Sequence, residues 1–100
     1  MARVVTIEAD DAEPFLNGEQ RGKVERGNLD LDRIDGTDEH VVLKFDPAVV
    51  TSSFIEGLVG PSVDTLGYSG FKQKYRIEGT RPVIENVLAT AQFLEDTKSR

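Results

Sequence analysis

An α/β fold, with a mostly parallel three- or four-stranded sheet and helices packed on it, is what this sequence predicts from two patterns and their order. The run Val41-Val42-Leu43-Lys44-Phe45 is the strongest strand signal in the chain, while Val83, Ile84, Val87, Leu88, Ala91 and Leu94 recur at helical spacing. Strand-like and helix-like periods alternate along the rest, with connections long enough for right-handed crossovers between parallel strands. One hundred residues with 38% hydrophobic content can bury one modest core and not two, so residues 1–100 form a single domain.

Val4, Val5 and Ile7 predict a first strand over Arg3 to Glu8, which the charge run from Glu8 and then Pro14 bring to an end. Residues 8–18 therefore read as an acidic, turn-rich loop. A helix is expected from Glu19 to Arg26, with Gly27-Asn28 at its end. Its polarity requires packing by Val24 and the later leucines to hold it. A further edge strand around Leu29 to Ile34 is compatible with the pattern. Residues 34–40 read as a second acidic loop built on Asp35-Gly36-Thr37-Asp38-Glu39, and Val41 to Phe45 is the central strand. Lys44 within that strand marks either a face that approaches the surface near its end or a lysine stem that snorkels outward.

Phe54, Ile55, Leu58, Val59, Val63 and Leu66 then place a helix from Ser53 onward. Ser53 and Glu56 match the capping-box spacing, and Ser52 or Thr51 takes the cap if the helix starts earlier. Gly57 and Gly60-Pro61 predict a kink, or an end and restart, because proline lacks a donor and collides with the carbonyl four residues back. Gly67-Tyr68-Ser69-Gly70 closes the element. Phe71 to Ile77 alternates as a strand with one covered face, Glu78-Gly79-Thr80 turns the chain, and Pro82 sits in the first turn of the final helix.

Several functions are made improbable by composition. The net charge of −6 is concentrated early: residues 1–40 hold eleven acids against five bases, and residues 41–100 hold seven of each. Such a field opposes nucleic acid and anionic lipid, and no basic patch offsets it. No run of 18 apolar residues exists and Met1-Ala2-Arg3 leads into acidic sequence, so a cytoplasmic protein without membrane attachment is expected. With no cysteine and the single histidine His40, no zinc or copper site is expected. Asp30, Asp32, Asp35 and Asp38 lack the spacing of a calcium loop and read as a solvated negative face. Phosphate-binding glycine loops and the Gly-x-Ser-x-Gly elbow are missing. His40 precedes the central strand while Ser52 and Ser53 follow it, a separation of roughly 17–20 Å. Neither a catalytic residue nor a cofactor is expected.

The polar residues that remain gather after the central strand, where open α/β sheets place their sites. Asp46, Thr51, Ser52 and Ser53 form a candidate cluster there, alongside their ordinary use as turn and cap residues. A phosphate on Ser52 or Ser53 would be favoured by the free N–H groups of the helix start.

Phe45-Asp46-Pro47-Ala48-Val49-Val50-Thr51-Ser52-Ser53-Phe54, followed by Leu66-Gly67, the Phe71 to Ile77 segment and the Val83 to Phe93 helix, resembles the small STAS-like domain family of unknown function. That family is related to bacterial anti-sigma-factor antagonists, and the likeness covers Val41 through Phe93. It implies a small STAS-like sandwich acting as a non-enzymatic, protein-binding module in bacterial or phage-borne signalling. In the related antagonists a serine at this helix start is phosphorylated by a kinase-like ATPase partner. Carried over by position, the phosphoacceptor is Ser52 or Ser53, with Asp46 in the preceding turn. The expected binding surface is Thr51 and Glu56 with Gly57, Gly60 and Pro61. The alternative is a phage or mobile-element inhibitory or accessory protein that sets Glu19, Glu25, Asp30 and Asp32 against a basic host surface. Exposed sheet edges also allow a homodimer.

Overall fold

In the computed structural model, which describes residues 2–7, 17–46 and 50–98, seven elements follow in order. They are β1 (Ala2–Ile7), α1 (Glu19–Leu29), α2 (Leu31–Asp35), β2 (His40–Phe45), α3 (Ser52–Lys74), β3 (Tyr75–Glu78) and α4 (Arg81–Lys98). The strands form a three-stranded sheet in the order β1-β2-β3, with both pairings parallel. Strands in sequential order joined by crossovers of one hand place every connecting helix on the same face. Accordingly α3 packs against α1 on one side and α4 on the other, giving a layer of helices over a layer of strands.

The pleat assigns the faces. Along β2, Val41, Leu43 and Phe45 are buried toward the helices, while His40 and Lys44 are exposed on the other face. Lys44 thus lies on an open side of the sheet, as its place in an apolar run suggested. Register puts Ile7 beside Phe45 and Tyr75 beside Val41 on the covered side. Phe54, Ile55, Leu58, Val59 and Phe71 from α3, with Val83, Val87 and Ala91 from α4, complete one core. Burying a large aliphatic or aromatic side chain of this kind contributes about 1.5–3 kcal/mol.

Two glycines set how closely the helix layer packs. A Cβ on Gly57 would lie 2.0 Å from the Glu19 carbonyl oxygen, and one on Gly22 would lie 2.1 Å from the Phe54 carbonyl oxygen. The backbones of α1 and α3 therefore touch at this crossing, and no side chain fits at either position.

Several expected boundaries move. β1 is Ala2–Ile7, and Glu8, with most of the loop expected over 8–18, lies outside the described residues. α1 runs through Gly27, which faces open space, to Leu29; Asp30 in the left-handed region (φ 60°) ends it. Where an edge strand was considered, Leu31 and Ile34 bury their side chains at helical spacing and form α2. The loop expected over 34–40 is correspondingly shorter, since Ile34 and Asp35 close α2 and His40 opens β2.

The larger correction concerns α3. No interruption occurs at Gly57 or at Gly60-Pro61; the one non-helical residue inside α3 is Gly67 (φ 75°, ψ 166°), which kinks the helix without a Cβ penalty. Pro61, whose missing N–H leaves the Gly57 carbonyl without its helical donor, is carried inside the helix, and in the same turn Arg26 Nη1 donates to the neighbouring Leu58 carbonyl at 2.9 Å. After Gly67 the chain returns to helix through Lys74, so the expected strand over Phe71 to Ile77 is only Tyr75–Glu78. Phe71 and Tyr75, four residues apart, pack with ring centroids 5.2 Å from each other, a helical pairing that short-range alternation imitates. No helix among the described residues is long and apolar enough to cross a membrane.

Candidate functional site

The expected hydroxyl cluster stands at the C-terminal end of β2, where α3 begins. Thr51 is the N-cap, with its Oγ1 accepting the Phe54 N–H at 3.3 Å. That places Ser53 at the second helical position, so Ser53 and Glu56 do not form a capping box. Thr51 Oγ1 also accepts the Gly18 N–H at 3.4 Å and lies 3.1 Å from Ser53 Oγ, tying the start of α1 to that of α3. Ser53 is half-buried in this cluster, and Ser52 is exposed.

Ser52 is nevertheless held. Its hydroxyl donates to Asn86 Oδ1 of α4 at 3.0 Å. The Asn86 amide is oriented from two further sides, since its Nδ2 donates to the Val50 carbonyl at 2.9 Å and its Oδ1 accepts from Thr90 Oγ1 at 3.1 Å. Asn86 was not singled out in the sequence: apart from Thr90, one turn along α4, its partners lie 34 and 36 residues away. Asp46 is exposed, its backbone N–H donates to the Ile7 carbonyl at 3.0 Å, and no hydrogen bond among the described residues joins its carboxylate to the hydroxyls. Pro47, Ala48 and Val49 lie outside the described residues.

Glu56, Gly60 and Pro61 are brought together. With Glu19 and Lys23 of α1, Asp64 of α3 and Leu94 of α4 they line an open groove of about 330 Å³ across the outer side of the helix layer. Three carboxylates face one ammonium there, and Lys23 Nζ sits 3.5 Å from Glu19 Oε1. Gly57 does not belong to this surface: it is buried against the α1 backbone, which removes it from the expected binding residues. Ser52, Glu56 and Gly60 recur every fourth residue, so the exposed serine and the groove share one stripe of α3.

A second polar constellation, absent from the sequence-based expectations, lies at the other end of the sheet. Arg26 donates through Nη2 to Asp35 Oδ2 at 2.7 Å, through Nη1 to Ser62 Oγ at 2.8 Å and through Nε to Asp32 Oδ1 at 2.9 Å. Ser62 donates to Asp35 Oδ2 at 2.5 Å, and the Tyr75 hydroxyl donates to Asp35 Oδ1. Burial, and then the hydrogen bond to Asp35, push the Tyr75 hydroxyl well above the usual tyrosine range. Every member is paired, which makes this a structural network joining α1, α2, α3 and β3. Asp35 had been read as a turn acid; its partners are 9, 27 and 40 residues distant, beyond the reach of any local pattern.

The acids of the alternative reading are largely matched locally. Asp30 accepts from Arg33 Nε at 2.6 Å, Asp32 pairs with Arg26, and Glu19 with Lys23. Among the described residues, no three or more His, Asp or Glu side chains are placed to hold a metal ion. Comparison of this chain with protein-family models, with curated proteins and with solved structures found no match in any of the three.

Proposed function

We propose that this chain is a non-enzymatic protein-binding regulatory module of STAS-like type, engaging a protein partner across the groove of α3. The observation that carries the reading is the meeting of Glu56, Gly60 and Pro61 in one groove, on the same helical stripe as the exposed Ser52. The acid-rich lining favours a partner that offers a basic side chain, and Gly60 with Pro61 and Leu94 gives that side chain's stem an apolar floor.

Phosphorylation of Ser52 by a kinase-like ATPase partner, as the STAS-like resemblance implies, would act on both features. The hydroxyl is a donor to Asn86 Oδ1, and a phosphate facing the same oxygen offers only acceptors. Asn86 cannot turn to compensate without giving up the Val50 carbonyl, which needs its N–H donor. The modified serine therefore leaves α4 and adds about −1.5 to −2 charges one turn from Glu56, raising the pull on a basic partner.

Copurification from the native cell, with intact-mass measurement, tests this. A partner captured by the wild-type chain, lost with Glu56→Arg and with Gly60→Arg while far-UV circular dichroism is unchanged, is the expected result. Capture that both variants retain would remove the groove from the reading. A chain that never carries phosphate on Ser52 or Ser53 would leave a binding module without a switch.

A further inference from the structure

We propose that β1 is a pairing edge for a second copy of this chain, joined antiparallel about a two-fold axis to make one continuous sheet. The two edges of the sheet differ in how they are protected. β3 is four residues long and carries Arg76 and Glu78 on its open face. β1 is six residues long, runs Val4-Val5-Thr6-Ile7 without lysine or proline, and has Arg3 drawn to Glu39 at 2.9 Å. Short, charged edges resist pairing, and long β-branched ones invite it.

The hydrogen-bonding groups fix what such an edge accepts. Ile7 offers its carbonyl to the Asp46 N–H, so it faces β2. Backbone direction alternates along a strand, so Val5 also faces β2 while Val4 and Thr6 turn their N–H and C=O groups outward. No described strand lies on that side. An antiparallel copy centred on Val4 satisfies every outward group of β1: Val4 exchanges bonds with the second Val4, and Ala2 with the second Thr6. In that register Arg3 stands opposite Val5, so no like charges meet.

An exposed apolar side chain of the helix layer marks the same flank: Val24 is 53% exposed, whereas Val4, at 61%, stands on the open face of the sheet beside Val42. Val24 is two residues from Gly22, hence about 200° around α1 from the contact with α3, and points off the free side of the helix layer. α1 is the outer helix on the side of β1, as β1 is the outer strand. A two-fold perpendicular to the sheet would bring β1 against β1 and the Val24 flanks toward each other on one face.

The test is sedimentation velocity of the full chain over a concentration series, with amide hydrogen exchange read residue by residue. The wild type is expected to move from monomer to dimer, with the Val4 and Thr6 amides gaining protection as it does. Val4→Pro removes an outward N–H and none from the β1–β2 ladder, a placement that an edge strand tolerates. It is expected to weaken the dimer at least tenfold, and Val24→Lys to weaken it less. Should Val4→Pro fail to fold, Val24→Lys and the wild-type exchange pattern decide. A chain monomeric throughout, with the Val4 and Thr6 amides exchanging freely, overturns the proposal; a dimer in which those amides stay unprotected does the same.

Discussion

At the N-terminal end of the strands, Arg26, Asp35, Ser62 and Tyr75 exchange hydrogen bonds almost out of reach of water, whereas at the C-terminal end Thr51, Ser52 and Asn86 exchange theirs at or near the surface. The difference lies in what each group would lose. A buried guanidinium deprived of its carboxylate has no water to replace it, while an exposed hydroxyl exchanges one acceptor for another at little cost. The buried end can hold a fold together but cannot be altered without damage. The exposed end can be modified, which is why the proposed switch belongs there.

Removing Asp35 tests the buried end most severely. Asp35→Ala strips Arg26, Ser62 and Tyr75 of a shared acceptor, and a loss of about 3 kcal/mol is expected in urea denaturation. That value is the low end for a broken buried pair, because Asp32 still reaches Arg26. Gly57→Ala drives a Cβ into the Glu19 carbonyl and should cost about 2–3 kcal/mol. Gly27→Ala, on the same helix pair but facing open space, should instead add about 0.5–1 kcal/mol.

Tyr75→Phe removes one charge-assisted hydrogen bond, worth about 1.5–3 kcal/mol at neutral pH. It also changes the response to base. Because the folded protein holds the Tyr75 hydroxyl above its ordinary 10.0, the neutral hydroxyl's contribution is complete below about pH 10. It is lost as pH rises from there toward the folded value, since the unfolded chain ionises first. The wild type should therefore lose stability above pH 10 more steeply than Tyr75→Phe in parallel urea titrations.

At the exposed end, Thr51→Ala should cost about 1 kcal/mol, the loss of an N-cap. Ser52→Ala should cost less than about 0.5 kcal/mol. A Ser52→Ala loss as large as that of Asp35→Ala would erase the contrast between the two ends and would make Ser52 a structural residue.

The strand over residues 41–45 and the final helix were legible because their side chains repeat at the period of the backbone that carries them. The hydroxyl turn was legible for a similar reason, since cap chemistry operates over three residues. Gly57 was misjudged because exposure is not written locally: a glycine in a notch and a glycine under another helix look the same in one dimension. Asn86, and the partners of Asp35, stayed hidden because the hydrogen bonds that define them span tens of residues, apart from Arg26–Asp35 at nine and Asn86–Thr90 at four.

By itself, then, the sequence determined the alternation of strands and helices and the place where polar groups could gather, because hydrophobic period and capping are short-range properties. Tertiary structure alone decided that Pro61 would be absorbed and that Gly67 would turn the chain. It also decided that Glu56 and Gly60 would open to a groove while Gly57 closed against α1. Those outcomes depend on which backbone approaches which, and contacts between segments distant in the chain set that.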